Sequence, residues 1–108
     1  MKVQNLWAGI PAVLAEELVE VIAAGTGVRV ERIVSRGHTT APGFWYDQDW
    51  AEWVLVLQGK GRLIFENRPY PVDLGPGDHL LIEPHMRHRV IFTDPDQETI
   101  WLAVHFGK

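Results

Sequence analysis

The feature that most constrains this chain is a series of short apolar segments, each ended by glycine, proline or aspartate. The segments lie at residues 28–34, 52–58, 62–66, 80–82, 89–93 and 99–106. Most are rich in β-branched or aromatic residues, which favour extended strands. Short strands separated at near-regular intervals by such turns are typical of an antiparallel sandwich or barrel. The sequence therefore predicts an all-β barrel over residues 28–108.

Residues 1–27 form a separate N-terminal segment, in which we expect an α-helix at about residues 11–24. Pro11 suits the first position of a helix, and Gly25 suits its end. Apolar residues between them recur at helical spacing: Leu14, Leu18, Val21 and Ile22. We expect this helix to pack on the outside of the barrel or on a partner subunit, within a single-domain protein.

Composition limits the partners and the chemistry. The 108-residue chain has a net charge of −4 and shows no cluster of basic residues, so nucleic acid is not an expected partner. It has no cysteine, no apolar run of membrane-spanning length and no signal-like start, which favours a cytoplasmic protein without disulfides or thiolate ligands. Five tryptophans and long apolar strands in so short a chain predict a homodimer whose interface covers them.

A histidine-rich stretch at residues 75–90 contains the strongest functional signal. Its Pro-Gly-Asp sequence is typical of a tight turn, and a short apolar run follows. His85 and His88 then occur where the chain enters a new β segment. Imidazoles at the mouth of a β structure are candidate metal ligands or acid–base groups.

This stretch resembles the second sequence motif of the cupin family. In that alignment Gly77 matches the first glycine of the motif, and His88 matches its metal-binding histidine. Three other positions depart from the pattern: Glu83 stands at the proline, His85 at the second glycine and Phe92 at the asparagine. The resemblance covers about residues 28–106 and implies a jelly-roll barrel.

The first cupin motif is present only in part. Glu52 and Gly59 have the separation of its glutamate and last glycine, but both histidines are missing. Two spacings are open for the lost positions: Tyr46 and Gln48 for a three-residue gap, or Trp45 and Asp47 for a four-residue gap. We prefer the first spacing because Gln48 offers a carbonyl oxygen.

The resemblance implies one divalent metal ion in the barrel. The predicted ligands are Gln48, Glu52, His85 and His88, with His85 replacing one of the lost histidines. Imidazole with carboxylate suits Fe, Mn, Ni, Co or Zn in the divalent state. The alternative for His85 is an exposed turn residue whose ring never reaches the site.

Three further residues are candidates for catalysis or substrate binding. Tyr46 and His105 are predicted acid–base groups, and a predicted hairpin with Phe92 opposite Ile100 brings His105 near His88. Substrate-binding candidates are Tyr46, Phe65 and Arg87, because aromatic walls bind small molecules and arginine binds anionic groups. For Arg87 the alternative is a solvated or paired surface residue.

These residues support three hypotheses about function. The first is a metal-dependent dioxygenase or isomerase that acts on a small oxygenated molecule. The second is a non-catalytic barrel that binds or senses a small molecule without metal. The third is a metal-free sugar epimerase or isomerase in which Tyr46 and either His88 or His105 act as acid and base.

Overall fold

A computed structural model describes residues 1–107, and this part of the chain contains strands and no helix. The strands are β1 (Leu18–Gly25), β2 (Val28–Ser35), β3 (Ala51–Gln58), β4 (Gly61–Phe65), β5 (Val72–Leu74), β6 (His79–Ile82), β7 (His88–Thr93) and β8 (Thr99–Phe106). The predicted all-β architecture is confirmed. Nothing in residues 1–107 is a helix long and apolar enough to cross a membrane.

The strands form two sheets that pack face to face. One sheet has the order β1-β2-β8-β3-β6 and the other β5-β4-β7, with antiparallel pairing throughout. Because successive side chains of a strand point to opposite faces, β3 and β4 bury every second residue. The buried residues of both sheets meet in one core: Val54, Val56, Leu63, Phe65, Leu74, Ile82 and Trp101.

The prediction of an N-terminal helix at about 11–24 is wrong. Residues 18–25 form β1, which makes an antiparallel hairpin with β2 through a two-residue turn at Thr26 and Gly27. Gly27 has φ +71°, the left-handed conformation that such turns favour. The apolar residues of this segment match a helical and an extended pattern alike. The strand forms because pairing with β2 provides hydrogen-bond partners for the backbone N–H and C=O groups of both segments.

The pairing around β7 also differs from the sequence-based expectation. Tyr46, in the loop before β3, forms a single bridge with His88. The expected hairpin with Phe92 opposite Ile100 is wrong, because β7 pairs with β4 whereas β8 pairs with β2 and β3. The connection between β7 and β8 therefore crosses from one sheet to the other.

A close contact between Gly61 and Trp101 fixes how the sheets approach each other. A Cβ atom at Gly61 would lie 2.2 Å from Cη2 and 2.4 Å from Cζ2 of the Trp101 ring. Trp101 is only 4% exposed, so a shift of its ring would disturb the core residues packed around it. Glycine at position 61 is therefore required for this indole to pack against β4.

We expect Gly61→Ala to lower the free energy of unfolding by about 1–3 kcal/mol, because overpacking a filled core forces side chains and backbone to shift. Chemical denaturation measures this. Gly75→Ala is the matched control: its added Cβ meets nothing closer than 3.8 Å and its φ is not left-handed. Equal losses for both variants would show that the Gly61–Trp101 contact is not the constraint.

Candidate binding and acid–base site

A cavity of about 250 Å³ lies inside the barrel, between the two sheets. One part of its wall is apolar: Val19, Ile33, Val54, Leu63, Ile82, Val90 and Trp101. The other part is polar: Glu17, Arg29, Glu31, Tyr46, Gln48, Glu52, His88 and His105. An apolar wall with a few converging polar groups is the usual form of a small-molecule site.

Strand alternation and register bring the central polar groups together. Glu52 lies on the same face of β3 as core residue Val54, whereas Trp53 between them points to the outer face and donates to His79. His105 on β8 lies directly opposite Glu52 in the register. Trp53 is accordingly not part of the cavity wall.

Backbone hydrogen bonds join the two predicted motifs at the cavity mouth. The Tyr46 amide donates to the His88 carbonyl at 2.8 Å, and the His88 amide donates to the Tyr46 carbonyl at 3.1 Å. The His85 amide donates to the Gln48 carbonyl at 2.6 Å. This pairing places the Tyr46 ring on the His88 ring, with centroids 5.5 Å apart and planes at 25°.

Glu52 and His88 form the centre of the site. Both are buried, and Glu52 Oε1 lies 3.8 Å from His88 Nε2. His88 Nδ1 is 2.8 Å from the Met86 carbonyl. Because a carbonyl only accepts, Nδ1 carries the proton, and in the neutral ring Nε2 presents a lone pair to Glu52. Two acceptors thus face each other. The pair is suited to accept a proton from a ligand or a hydrogen bond from one of its hydroxyl groups.

Gln48 completes this group, because it contacts the carboxylate oxygen of Glu52 that faces His88. Its Nε2 donates to Glu52 Oε1 at 3.0 Å. The amide therefore holds the carboxylate in position beside His88.

His105 has the opposite tautomer from His88. The indole Nε1 of Trp50 donates to His105 Nδ1 at 2.8 Å, so Nε2 carries the proton and donates to Glu31 Oε1 at 2.9 Å. Glu31 also accepts from Arg29 Nε at 3.0 Å. Both ring nitrogens of His105 are engaged within the protein, which favours a positioning role over the proton transfer predicted from the sequence.

His85 does not join the other predicted metal ligands. Its side chain is 67% exposed, and its Nδ1 lies 2.8 Å from Asp47 Oδ1 at the surface. His85 has φ +62°, so this position keeps the left-handed backbone that favours the family's glycine. Within residues 1–107, no three His, Cys, Asp or Glu side chains form a group that could hold a metal ion. His85 therefore does not lie with Gln48, Glu52 and His88, as the predicted four-ligand set requires.

The predicted substrate contacts Phe65 and Arg87 also lie outside the cavity wall. Phe65 is a core residue whose ring centroid is 5.8 Å from that of His88, so it supports the imidazole from the core. Arg87 is exposed, forms an ion pair with Glu66 at 3.1 Å and lies over the Trp45 ring. Its alternative interpretation as a paired surface residue matches this position.

Sequence reasoning missed three charged residues of the cavity wall: Glu17, Arg29 and Glu31. Arg29 and Glu31 share a strand face with the half-buried Ile33. The alternation of residues along this strand could have predicted that both charged side chains face the cavity. Glu17 precedes β1, so the expected helix hid its position. It accepts a hydrogen bond of 2.6 Å from the buried hydroxyl of Ser35.

Tyr46 is held in its protonated form. Burial raises the pKa of Tyr46 above its ordinary value of 10.0, and the nearby carboxylates of Glu17 and Glu52 raise it further. The phenol therefore keeps its proton at neutral pH. It is suited to donate a hydrogen bond or a proton to a ligand and not to remove one.

Comparisons with known proteins agree with the observed fold. The family model of the Cupin domain matches residues 32–105. A solved structure from Ralstonia eutropha JMP134, named "putative mannose-6-phosphate isomerase", is 39% identical, with all of both chains covered and a TM-score of 0.95. A search of curated proteins found no match.

More distant solved structures share the fold. A cupin superfamily protein from Desulfitobacterium hafniense DCB-2 is 19% identical over 92% of this chain and 84% of that chain, with a TM-score of 0.74. A double-stranded β-helix protein from Klebsiella pneumoniae is 15% identical over 98% of this chain and 90% of that chain, with a TM-score of 0.77.

The raised pKa of Tyr46 has a measurable consequence. In the Tyr70→Phe variant, which keeps only one of the two tyrosines, we expect the phenolate absorbance to appear with a midpoint above pH 10. Because the folded state holds this proton more tightly than the unfolded state, its contribution to stability is complete below pH 10 and is lost as the pH rises through the folded pKa. In Tyr46→Phe we expect this loss of stability at high pH to disappear. An absorbance midpoint at or below pH 10 in Tyr70→Phe would contradict the burial of the Tyr46 phenol.

Proposed function

The chain belongs to the cupin family, and from that premise we propose that its barrel binds a small hydroxylated carbonyl compound and isomerises it by proton transfer without a metal. The observation that carries this proposal is the acceptor pair of Glu52 and His88, which faces the cavity below the protonated phenol of Tyr46. The cavity of about 250 Å³ limits the ligand to a small molecule.

In the proposed reaction, Nε2 of His88 removes the proton from the carbon next to the carbonyl group. The electron pair of that carbon–hydrogen bond forms a carbon–carbon double bond, and the carbonyl oxygen takes up negative charge. Tyr46 donates to this oxygen, and Glu52 stabilises the imidazolium. The proton then returns to the former carbonyl carbon instead of the carbon from which it came. The proton of the adjacent hydroxyl group moves to the former carbonyl oxygen, so the product is an isomer of the substrate.

The similar Ralstonia eutropha protein supports the class of reaction, because its name is that of an isomerase. The more distant structures support the fold alone. The sequence-based expectation of a metal-dependent enzyme loses support, because His85 lies outside the cavity and bonds to Asp47. Glu52 and His88 remain together as groups that act on a ligand directly, and Gln48 holds the carboxylate in position.

Solvent isotope exchange tests the proposed reaction. Chelator-treated protein is incubated in D₂O with aldoses and ketoses of three to six carbons, including mannose and fructose, and followed by proton NMR. We expect deuterium at the carbon next to the carbonyl group together with isomer formation. His88→Ala lowers the rate on the order of 10²-fold, because the base is lost.

His85→Ala is the matched control, since it removes an exposed histidine outside the cavity. We expect it to leave the exchange rate unchanged. A loss of activity in His85→Ala, or activity that requires added Fe, Mn, Ni, Co or Zn, would instead favour the metal site predicted from the sequence. Ligand binding without exchange would support the alternative of a non-catalytic binding barrel.

We also propose a homodimer formed through the outer face of the five-stranded sheet. Register pairs place an apolar patch on that face: Val30, Trp53, Leu55, Leu81, Leu102 and Val104. Leu81 is 46% exposed. A contiguous apolar patch on a small chain is typical of an interface between subunits.

Light scattering at micromolar concentration tests the dimer. We expect the unmodified protein to have the mass of a dimer and Leu81→Lys to shift it towards the monomer, because a charge is buried in the interface. Tyr70→Lys, at an exposed loop residue away from this patch, should stay dimeric. A monomeric unmodified protein contradicts the proposal.

A further inference from the structure

We infer that the cavity selects a non-anionic hydroxylated ligand and rejects phosphorylated sugars, and that the indole N–H of Trp101 is one of its contacts to the ligand. This inference rests on the proposed binding function and adds the class of ligand. Charge carries the first part, and a buried donor without a partner carries the second.

The charged groups of the cavity wall are mainly acidic. Three carboxylates, Glu17, Glu31 and Glu52, line the cavity with one guanidinium, that of Arg29. With neutral histidines the wall thus carries three negative charges and one positive, a net charge of −2. Arg29 is already paired with Glu31 at 3.0 Å, and its side chain lies at the rim, 41% exposed.

The two histidines do not reverse this balance. His105 Nδ1 accepts from the Trp50 indole, and a proton on that nitrogen would break the bond. His88 alone adds one positive charge when protonated, which leaves the wall negative. Among residues 1–107, no other arginine and no lysine lines the cavity.

A phosphate group is poorly matched to such a wall. Proteins hold phosphate with clusters of arginine and lysine or with the N-terminus of a helix. The described residues include no helix, and other arginines form ion pairs elsewhere: Arg32, Arg36, Arg62 and Arg87. A phosphate monoester would lose water and meet carboxylates, which is unfavourable on both counts.

Trp101 supplies a donor that the protein itself does not use. Its Nε1 is buried and has no hydrogen-bond partner within the described part of the chain, although the residue lines the cavity. A buried donor without a partner costs about 1–3 kcal/mol. A ligand oxygen that accepts from Nε1 removes this cost.

The donor and the acceptor pair together match hydroxyl groups. Trp101 offers an N–H, whereas Glu52 and His88 offer lone pairs. A hydroxyl both donates and accepts, so a compound with several hydroxyls can satisfy both sides of the cavity at once. This match, with the acidic wall, defines an uncharged polyhydroxy compound or an amino sugar as the class of ligand.

Indole NMR with three matched probes tests the inference. The metal-free protein is titrated with mannose, glucosamine and mannose 6-phosphate, and the Trp101 indole signal is assigned by its loss in Trp101→Phe. We expect mannose or glucosamine to shift this signal and mannose 6-phosphate to bind at least tenfold more weakly. The indole of Trp7, half exposed in the N-terminal segment, should not respond.

A charge variant tests the electrostatic part separately. Glu17→Gln removes one wall carboxylate outside the Glu52–His88 pair, so it should narrow the preference for mannose over mannose 6-phosphate several-fold. Glu98→Gln, at the surface beside Arg36, is the matched control and should not change it. An unchanged preference in Glu17→Gln contradicts the electrostatic part.

The remaining outcomes separate this inference from the proposed function. Tighter binding of mannose 6-phosphate than of mannose overturns the charge selection and leaves the binding function standing. Binding of a probe without a shift of the Trp101 signal overturns the contact to the indole. No response to any of the three probes overturns the inference and the proposed binding function together.

Discussion

The paired backbone hydrogen bonds between Tyr46 and His88 are the interaction on which the site depends. They join a loop before β3 to the start of β7, two segments from different parts of the chain. The phenol thereby stacks on the imidazole, and Gln48 comes within reach of Glu52. A backbone contact of this kind does not depend on the side chains that it positions. The first motif can therefore lose both histidines while the shape of the cavity mouth is kept.

The strands from Val28 onward and the inward Glu52 and His88 could be predicted, because alternation and turn residues are local signals. The first strand could not, since the apolar residues of 18–25 match a helix as well, and only pairing along β2 distinguishes the two. The position of His85 depended on its left-handed backbone, which side-chain spacing does not reveal.

The two buried histidines show how neighbouring groups divide the chemical roles of one residue type. A carbonyl beside Nδ1 leaves His88 with its lone pair towards the cavity. In His105, Nδ1 accepts from an indole N–H, so the proton is on Nε2 and is donated to Glu31. One imidazole is thus free to act on a ligand while the other fixes the wall. The division depends on the partner of Nδ1, which is a backbone carbonyl for His88 and an indole N–H for His105.

The hairpin of β1 and β2 also affects how the cavity exchanges its contents. β1 is the terminal strand of its sheet and is hydrogen-bonded to β2 alone, yet Val19 and the adjoining Glu17 form part of the cavity wall. Terminal strands open locally at a lower free energy than strands held on both sides. Local opening of β1 would therefore expose the cavity at Val19 and Glu17 while the other strands of the barrel stay paired.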